Sequence, residues 1–182
     1  MDRLIQGVVE DGDWVAPFAV AFSVGYFVSD MVVMMTNSDV WALESVIHHL
    51  VIGGGFAIGL IAGVTTPYHF LFLIEELSTV FLNARYFWRA SPALHTVFSN
   101  LFALTFFLSR IIGGTCITST VIPFLLDPAT ERALQPPYRY YALWTEIVLL
   151  VLSRALNLYW GYLILSKLLC PRPPRKPASK TN

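Results

Sequence analysis

The sequence predicts an all-α fold, a polytopic transmembrane helical bundle of about five spans, and three observations carry that reading. Of the 182 residues 55% are hydrophobic, and the mean hydropathy is +0.60. Only 13% are charged, where a soluble domain carries about 25%. The apolar residues, finally, fall in runs close to the roughly 20 that a helix needs to cross the hydrocarbon core. Twelve basic and twelve acidic side chains cancel, which removes the electrostatic case for a nucleic-acid partner. Two cysteines, Cys116 and Cys170, make no disulfide scaffold, and no Cys/His spacing suggests a metal. No cofactor is expected.

The first span runs from Trp14 to Met35 with one charge, Asp30. The second runs from Val46 to Gly63 and is broken by Thr65-Thr66-Pro67, because proline disfavours helix in the residue before it. The third, Tyr68 to Tyr86, contains Glu75 and Glu76. The fourth, Thr96 to Leu126, is overlong and is expected to tilt or to stop at Pro123. The fifth runs from Tyr141 to Leu169. Residues 1–13 are too acidic for the basic head of a cleavable signal, so residues 14–35 read as a retained span. Residues 170–182 form a basic, proline-rich tail.

Charge decides the orientation. Residues 1–76 hold nine acids and one base, and residues 77–182 hold three acids and eleven bases. Counted over the short flanks of the spans, seven Lys and Arg against three place the tail in the cytosol and the acidic N-terminus on the other side.

Ionisable groups inside a bilayer cost a few kcal/mol each and by default mark function or a buried pair. This chain has Asp30, His48, His49, Glu75, Glu76, Arg110, Glu146 and Arg154, with Asn83 and Asn157 as uncharged companions. Most of them fall in depth between the midplane and the cytosolic face. Glu76, Thr79 and Asn83 share a helical stripe, as do Glu146, Ser153 and Asn157. Glu and Arg neutralising each other in the bundle core is one reading of this layer, and a polar ligand site is the other. Adjacent histidines point about 100° apart, so one structural contact does not account for both, and one metal is a poor fit. Gly55, Gly59 and Gly63, four apart, predict close helix packing and a central second span.

The strings Gly25-Tyr-Phe-Val-Ser-Asp30, His48-His49-Leu-Val, Glu76-Leu-Ser-Thr-Val-Phe-Leu-Asn83-Ala-Arg85, Phe106-Phe-Leu-Ser-Arg110-Ile and Leu156-Asn-Leu-Tyr-Trp160 occur in an order that resembles the TLC-domain family. That family includes the ceramide synthases and the translocating-chain-associated membrane proteins; the later strings are similar to its TLC domain-containing subfamily. The resemblance covers residues 14–169. It departs from the ceramide-synthase pattern HDxSDxxLE, placing Glu75 at the His, Glu76 at the first Asp, Thr79 at the second and Asn83 at the Glu. Members usually carry one or two further upstream helices, so the resemblance implies a shortened member, an isoform or an incomplete gene sequence. Its expected partners are membrane lipids, with a second copy or the missing upstream helices beside it.

Three functions follow as expectations. The first is lipid homeostasis in the endoplasmic reticulum, by binding or sensing acyl chains and influencing phospholipid or sphingolipid composition. The second is acyl-CoA-dependent N-acylation of a sphingoid base to a ceramide-like product, with His48, His49 and Glu76 as catalytic candidates and acyl-CoA as substrate. The third is a structural or trafficking role in the secretory pathway. The lipid layer is expected at Asp30, His48, His49, Glu76, Asn83, Arg110 and Asn157. If spans two and three are straight and antiparallel, at 1.5 Å per residue His49 lies about 24 Å below their joining turn, Asn83 about 22 Å and Glu76 about 12 Å. Asn83 is then the neighbour of the histidines, and Glu76 is too distant to pair with them.

Overall fold

The computed structural model describes residues 14–134 and 137–169. The acidic segment 1–13 and the basic tail 170–182 lie outside the described residues. The helices are α1 (Val15–Thr36), α2 (Leu43–Ala62), α3 (Thr66–Phe72), α4 (Leu77–Phe87), α5 (Pro92–Thr105), α6 (Gly114–Leu125), α7 (Pro128–Ala133) and α8 (Tyr138–Leu169). A 3₁₀ turn, Leu73–Glu76, joins α3 to α4, and a π-helical segment, Phe106–Gly113, joins α5 to α6. Among the described residues four helical stretches are long and apolar enough to cross a membrane: Val15–Thr36, Leu43–Ala62, Pro92–Leu125 and Tyr138–Leu169. The third expected span is present as a helical path, but it is cut into α3, the 3₁₀ turn and α4. None of its three pieces is long enough to cross alone.

Local chemistry sets the boundaries. Gly63 ends α2 in the left-handed conformation at φ 65°, and the next amide, of Val64, donates to Gly59 O at 3.0 Å. Thr65 then takes φ 59°, a strained value for a β-branched residue, and Pro67 opens α3 where a helix has no use for its missing amide hydrogen. The same device starts α5 at Pro92. Pro123 does not stop the fourth span. It sits inside α6, where it removes the bond to the Ser119 carbonyl, and the helix ends two residues later at Leu125.

Burial runs the opposite way to that of a soluble globule. Asn157, Ser78, Glu75 and Arg110 are 1–4% exposed, while Phe22 is 71% and Ile61 85% exposed. Polar groups inside and large apolar side chains outside suit a chain solvated by lipid tails. Apolar packing seals two regions: Val20, Phe27 and Phe56 between α1 and α2, and Ala62, Val64, Val121, Leu125, Leu134 and Leu143 at the end holding the α2–α3 turn. Helix α2 is central, as expected, and packs along α1 and α8.

The glycines act individually rather than as one stripe. Gly55 faces Glu146 and Leu149 of α8, and Gly63 is a helix cap. Gly59 lies against the His69 imidazole: a Cβ there would stand 2.2 Å from Cε1. The closest approach is therefore to a side chain, with the Val64 carbonyl next at 3.0 Å, and not to the backbone of another span. Gly59→Leu is expected to lose about 1–3 kcal/mol by overpacking. Thermal unfolding in detergent checks this, and an unchanged midpoint would contradict the contact.

Candidate functional site

The polar layer closes into one network. Arg110, buried in the π-helical segment, donates from Nη2 to both Glu76 carboxylate oxygens at 3.0 Å and to Thr79 Oγ1 at 3.0 Å. Its Nε donates to Ser78 Oγ at 2.9 Å and its Nη1 to Asn157 Oδ1 at 3.3 Å. Arg154 of α8 pairs with Glu75, and its Nη1 donates to the Arg110 carbonyl at 2.9 Å. Asn157 Nδ2 donates to Glu75 Oε2 at 2.8 Å. Two arginines thus answer two adjacent glutamates, so the neutralising pairs expected as one reading of the sequence are present. Charges in hydrocarbon persist when paired and hydrogen-bonded in this way, here with Arg154 Nε alone left without a partner among the described residues.

The unusual helices make the network possible. Consecutive residues diverge by about 100° on an α-helix and about 120° on a 3₁₀ turn, so Glu75 meets α8 while Glu76 meets the π-helical segment. The 3₁₀ turn sets their directions, and the π segment turns Ser109 and Arg110 inward together. The stripe on α8 holds as expected: Leu143, Glu146, Ser153, Asn157 and Gly161 are its buried residues.

The histidines face this network, and here the straight-helix expectation fails. His48 Nε2 lies 3.6 Å from Glu76 Oε1, so the two are neighbours after all. Helix α3 starts at Thr66 rather than residue 68, and the 3₁₀ turn rises about 2.0 Å per residue instead of 1.5. Both changes carry Glu76 further down, and the side chains span the remainder. Asn83 is not beside the histidines. It is exposed and lines a separate shallow depression with Val80, Ala84, Phe87 and Trp88. His49 instead contacts Asp30 of α1, with Nε2 2.8 Å from Oδ2, and its Nδ1 is 2.8 Å from Ser45 O. The Trp160 ring packs edge-on against His48 at 5.2 Å.

His48, His49, Glu76, Thr79 and Arg110 line one cleft of about 600 Å³. Phe102, Phe106, Leu163 and Ile164 contribute apolar walls, and Glu44, Arg85 and Lys167 line it toward the ends of their helices. Two polar atoms in its lining, His48 Nδ1 and Ser99 Oγ, are buried without a hydrogen-bond partner among the described residues. Of the expected layer, the cleft gathers His48, His49, Glu76 and Arg110. Asp30 and Asn157 sit behind it as partners of His49 and Arg110, and Asn83 lies outside it.

Sequence reasoning missed His69 and its contact with Glu146, Nε2 to Oε2 at 3.0 Å. The spacing of Gly59, against which the His69 ring packs, signalled close packing but not that an imidazole fills the space. Ser78, 1% exposed under Arg110, was also missed, although it lies two residues from Glu76 in a quoted string.

A family model described as the TLC domain matches residues 6–166. No curated protein and no solved structure matches the chain. The match takes in all four long apolar stretches but the last turn of α8, and every residue of the cleft except Lys167 and Leu168, so it covers the bundle and its polar network together. The chain is a membrane protein of the TLC-domain family.

Proposed function

We propose that this protein serves lipid homeostasis by seating a membrane amphiphile in the cleft, with a polar group at the His48–Glu76–Arg110 floor and its chain along Phe102, Phe106, Leu163 and Ile164. The observation that carries this reading is the pairing of apolar walls with buried, unpartnered polar atoms, His48 Nδ1 and Ser99 Oγ, in a cleft of about 600 Å³. That volume lies within the roughly 300–1,000 Å³ of ligand pockets, which are mostly apolar with a few placed polar groups. The compartment we propose is the endoplasmic reticulum, with the C-terminus cytosolic. A C-terminal glycosylation tag is then expected to stay unmodified while an N-terminal one is glycosylated, and the reverse pattern would overturn the orientation.

Binding is favoured over chemistry because the floor is already engaged. Both Glu76 oxygens accept from Arg110, and Oε2 also accepts from Thr79 at 2.7 Å. His49 is held by Asp30 and Ser45. One observation favours N-acyltransfer as the second reading: Glu76 stands 3.6 Å from His48, on the side opposite the unpartnered Nδ1. A carboxylate behind an imidazole is how a general base is oriented, although 3.6 Å is too long for a hydrogen bond. Lipid profiles of cells with and without the protein test the first reading, with a change in phospholipid or sphingolipid composition as the expected result. Purified protein given acyl-CoA and a sphingoid base is expected to show no turnover. Turnover abolished by His48→Ala would establish the second reading in its place.

A further inference from the structure

The buried carboxylates differ in what answers them. Glu75 has Arg154 and Glu76 has Arg110, whereas Glu146 of α8 meets only His69 of α3 among the described residues. The His69 and Glu146 side chains are 8% and 7% exposed, with Nε2 3.0 Å from Oε2. Charge sealed in hydrocarbon is costly, so the couple is held where its net charge is zero. Neutrality fixes its proton count. One hydrogen lies on the Nε2–Oε2 line. With the second on Nδ1 the couple is imidazolium with carboxylate or imidazole with carboxylic acid; with the second on Oε1 it is equally neutral and Nδ1 is bare. In the first case one further donor, Nδ1–H, and one further acceptor, Oε1, are left, in the second the roles are reversed, and these are the couple's two atoms without a partner among the described residues.

An unmet donor and an unmet acceptor on one couple are the complement of water. A cavity of about 60 Å³ adjoins both residues, where one water needs about 10–15 Å³. The other titratable side chains on its wall are Tyr68 from α3 and Glu75 and Glu76 from the 3₁₀ turn; α2 and α6 contribute only apolar residues. Glu76 also lines the cleft, so the cavity and the cleft share one carboxylate as a wall.

We propose that the His69–Glu146 couple is a proton-binding site, holding one shared proton and hydrated by water in this cavity, and that it exchanges hydrogen with the cleft past Glu76. Exchange conserves charge. Nδ1–H passes its hydrogen to a cavity water as another water hydrogen arrives at Oε1, and the shared hydrogen settles on Nε2.

The full chain, labelled with ¹⁵N-histidine and reconstituted in phospholipid nanodiscs, tests this by NMR of the imidazole nitrogens. The chain has four histidines, and the His69 signals are those lost in His69→Gln. If that variant does not fold, loss of the other three sets in His48→Gln, His49→Gln and His95→Gln assigns them by elimination. The expected result is a protonated Nδ1 on His69 with an exchange cross-peak to water. An Nδ1 bare at rest would overturn this placement of the couple's hydrogens, and an imidazole with no exchange cross-peak to water would overturn the hydrated site.

Discussion

Replacing Arg154 with methionine is expected to cost about 3–5 kcal/mol, the loss typical of breaking a buried ion pair from one side. The change strands Glu75, 4% exposed, with Asn157 Nδ2 as its remaining side-chain donor, and it removes the donor to the Arg110 carbonyl. Because the penalty is that of an unanswered charge, a second change, Glu75→Met, is expected to return most of it. Replacing a whole buried pair by apolar groups of similar volume is often neutral. Reversible unfolding in mixed micelles, with retained helicity as the readout, measures both. Equal stability of wild type and Arg154→Met would show that the pair is not buried in the folded bundle.

The second large effect is expected from the smallest substitution. A Cβ on Gly114 would lie 1.9 Å from Arg154 Nη1 and 2.2 Å from Glu75 Oε1, inside the ion pair itself. Gly114→Ala therefore cannot be absorbed by rotating a loose side chain. Its expected cost is at the upper end of the about 1–3 kcal/mol of overpacking, because it also opens the pair. In the Arg154→Met, Glu75→Met background the same alanine meets no ion pair and is expected to cost much less. Residues that share one network are non-additive in this way. Additive costs in the double-mutant cycle would contradict the packing of Gly114 under the pair.

What the sequence made legible were properties that each helix carries by itself. Apolar run length located the four long spans, and helical periodicity placed Glu146, Ser153 and Asn157 on one buried stripe. The presence of a polar layer followed from its cost in lipid. Pairings across helices were not legible, because they depend on rise and rotation that change within a span. The 3₁₀ turn at Leu73–Glu76 and the π-helical segment at Phe106–Gly113 alter both. A straight-helix ruler consequently placed Asn83 beside the histidines, where Glu76 stands, and left Asn83 no role in the cleft. Gly59 shows the same limit. Its spacing signalled close packing, but only the fold identifies the His69 ring as what it receives.

Lipid capture in the cleft bears most directly on the account. Ala103 lines the cleft wall between Phe102 and Phe106, and no hydrogen bond of the Glu75–Glu76–Arg110–Arg154 network involves its side chain. Purified protein in nanodiscs would be exposed to a photoactivatable long-chain amino-alcohol lipid and the adduct sites mapped by peptide mass spectrometry. Adducts are expected on wall residues such as Phe102, Leu163 and Ile164, and Ala103→Trp, which fills the cleft while leaving the polar network in place, is expected to reduce them at least several-fold. Adducts confined to the outer, lipid-facing side chains and unchanged in Ala103→Trp would contradict the cleft as the lipid site.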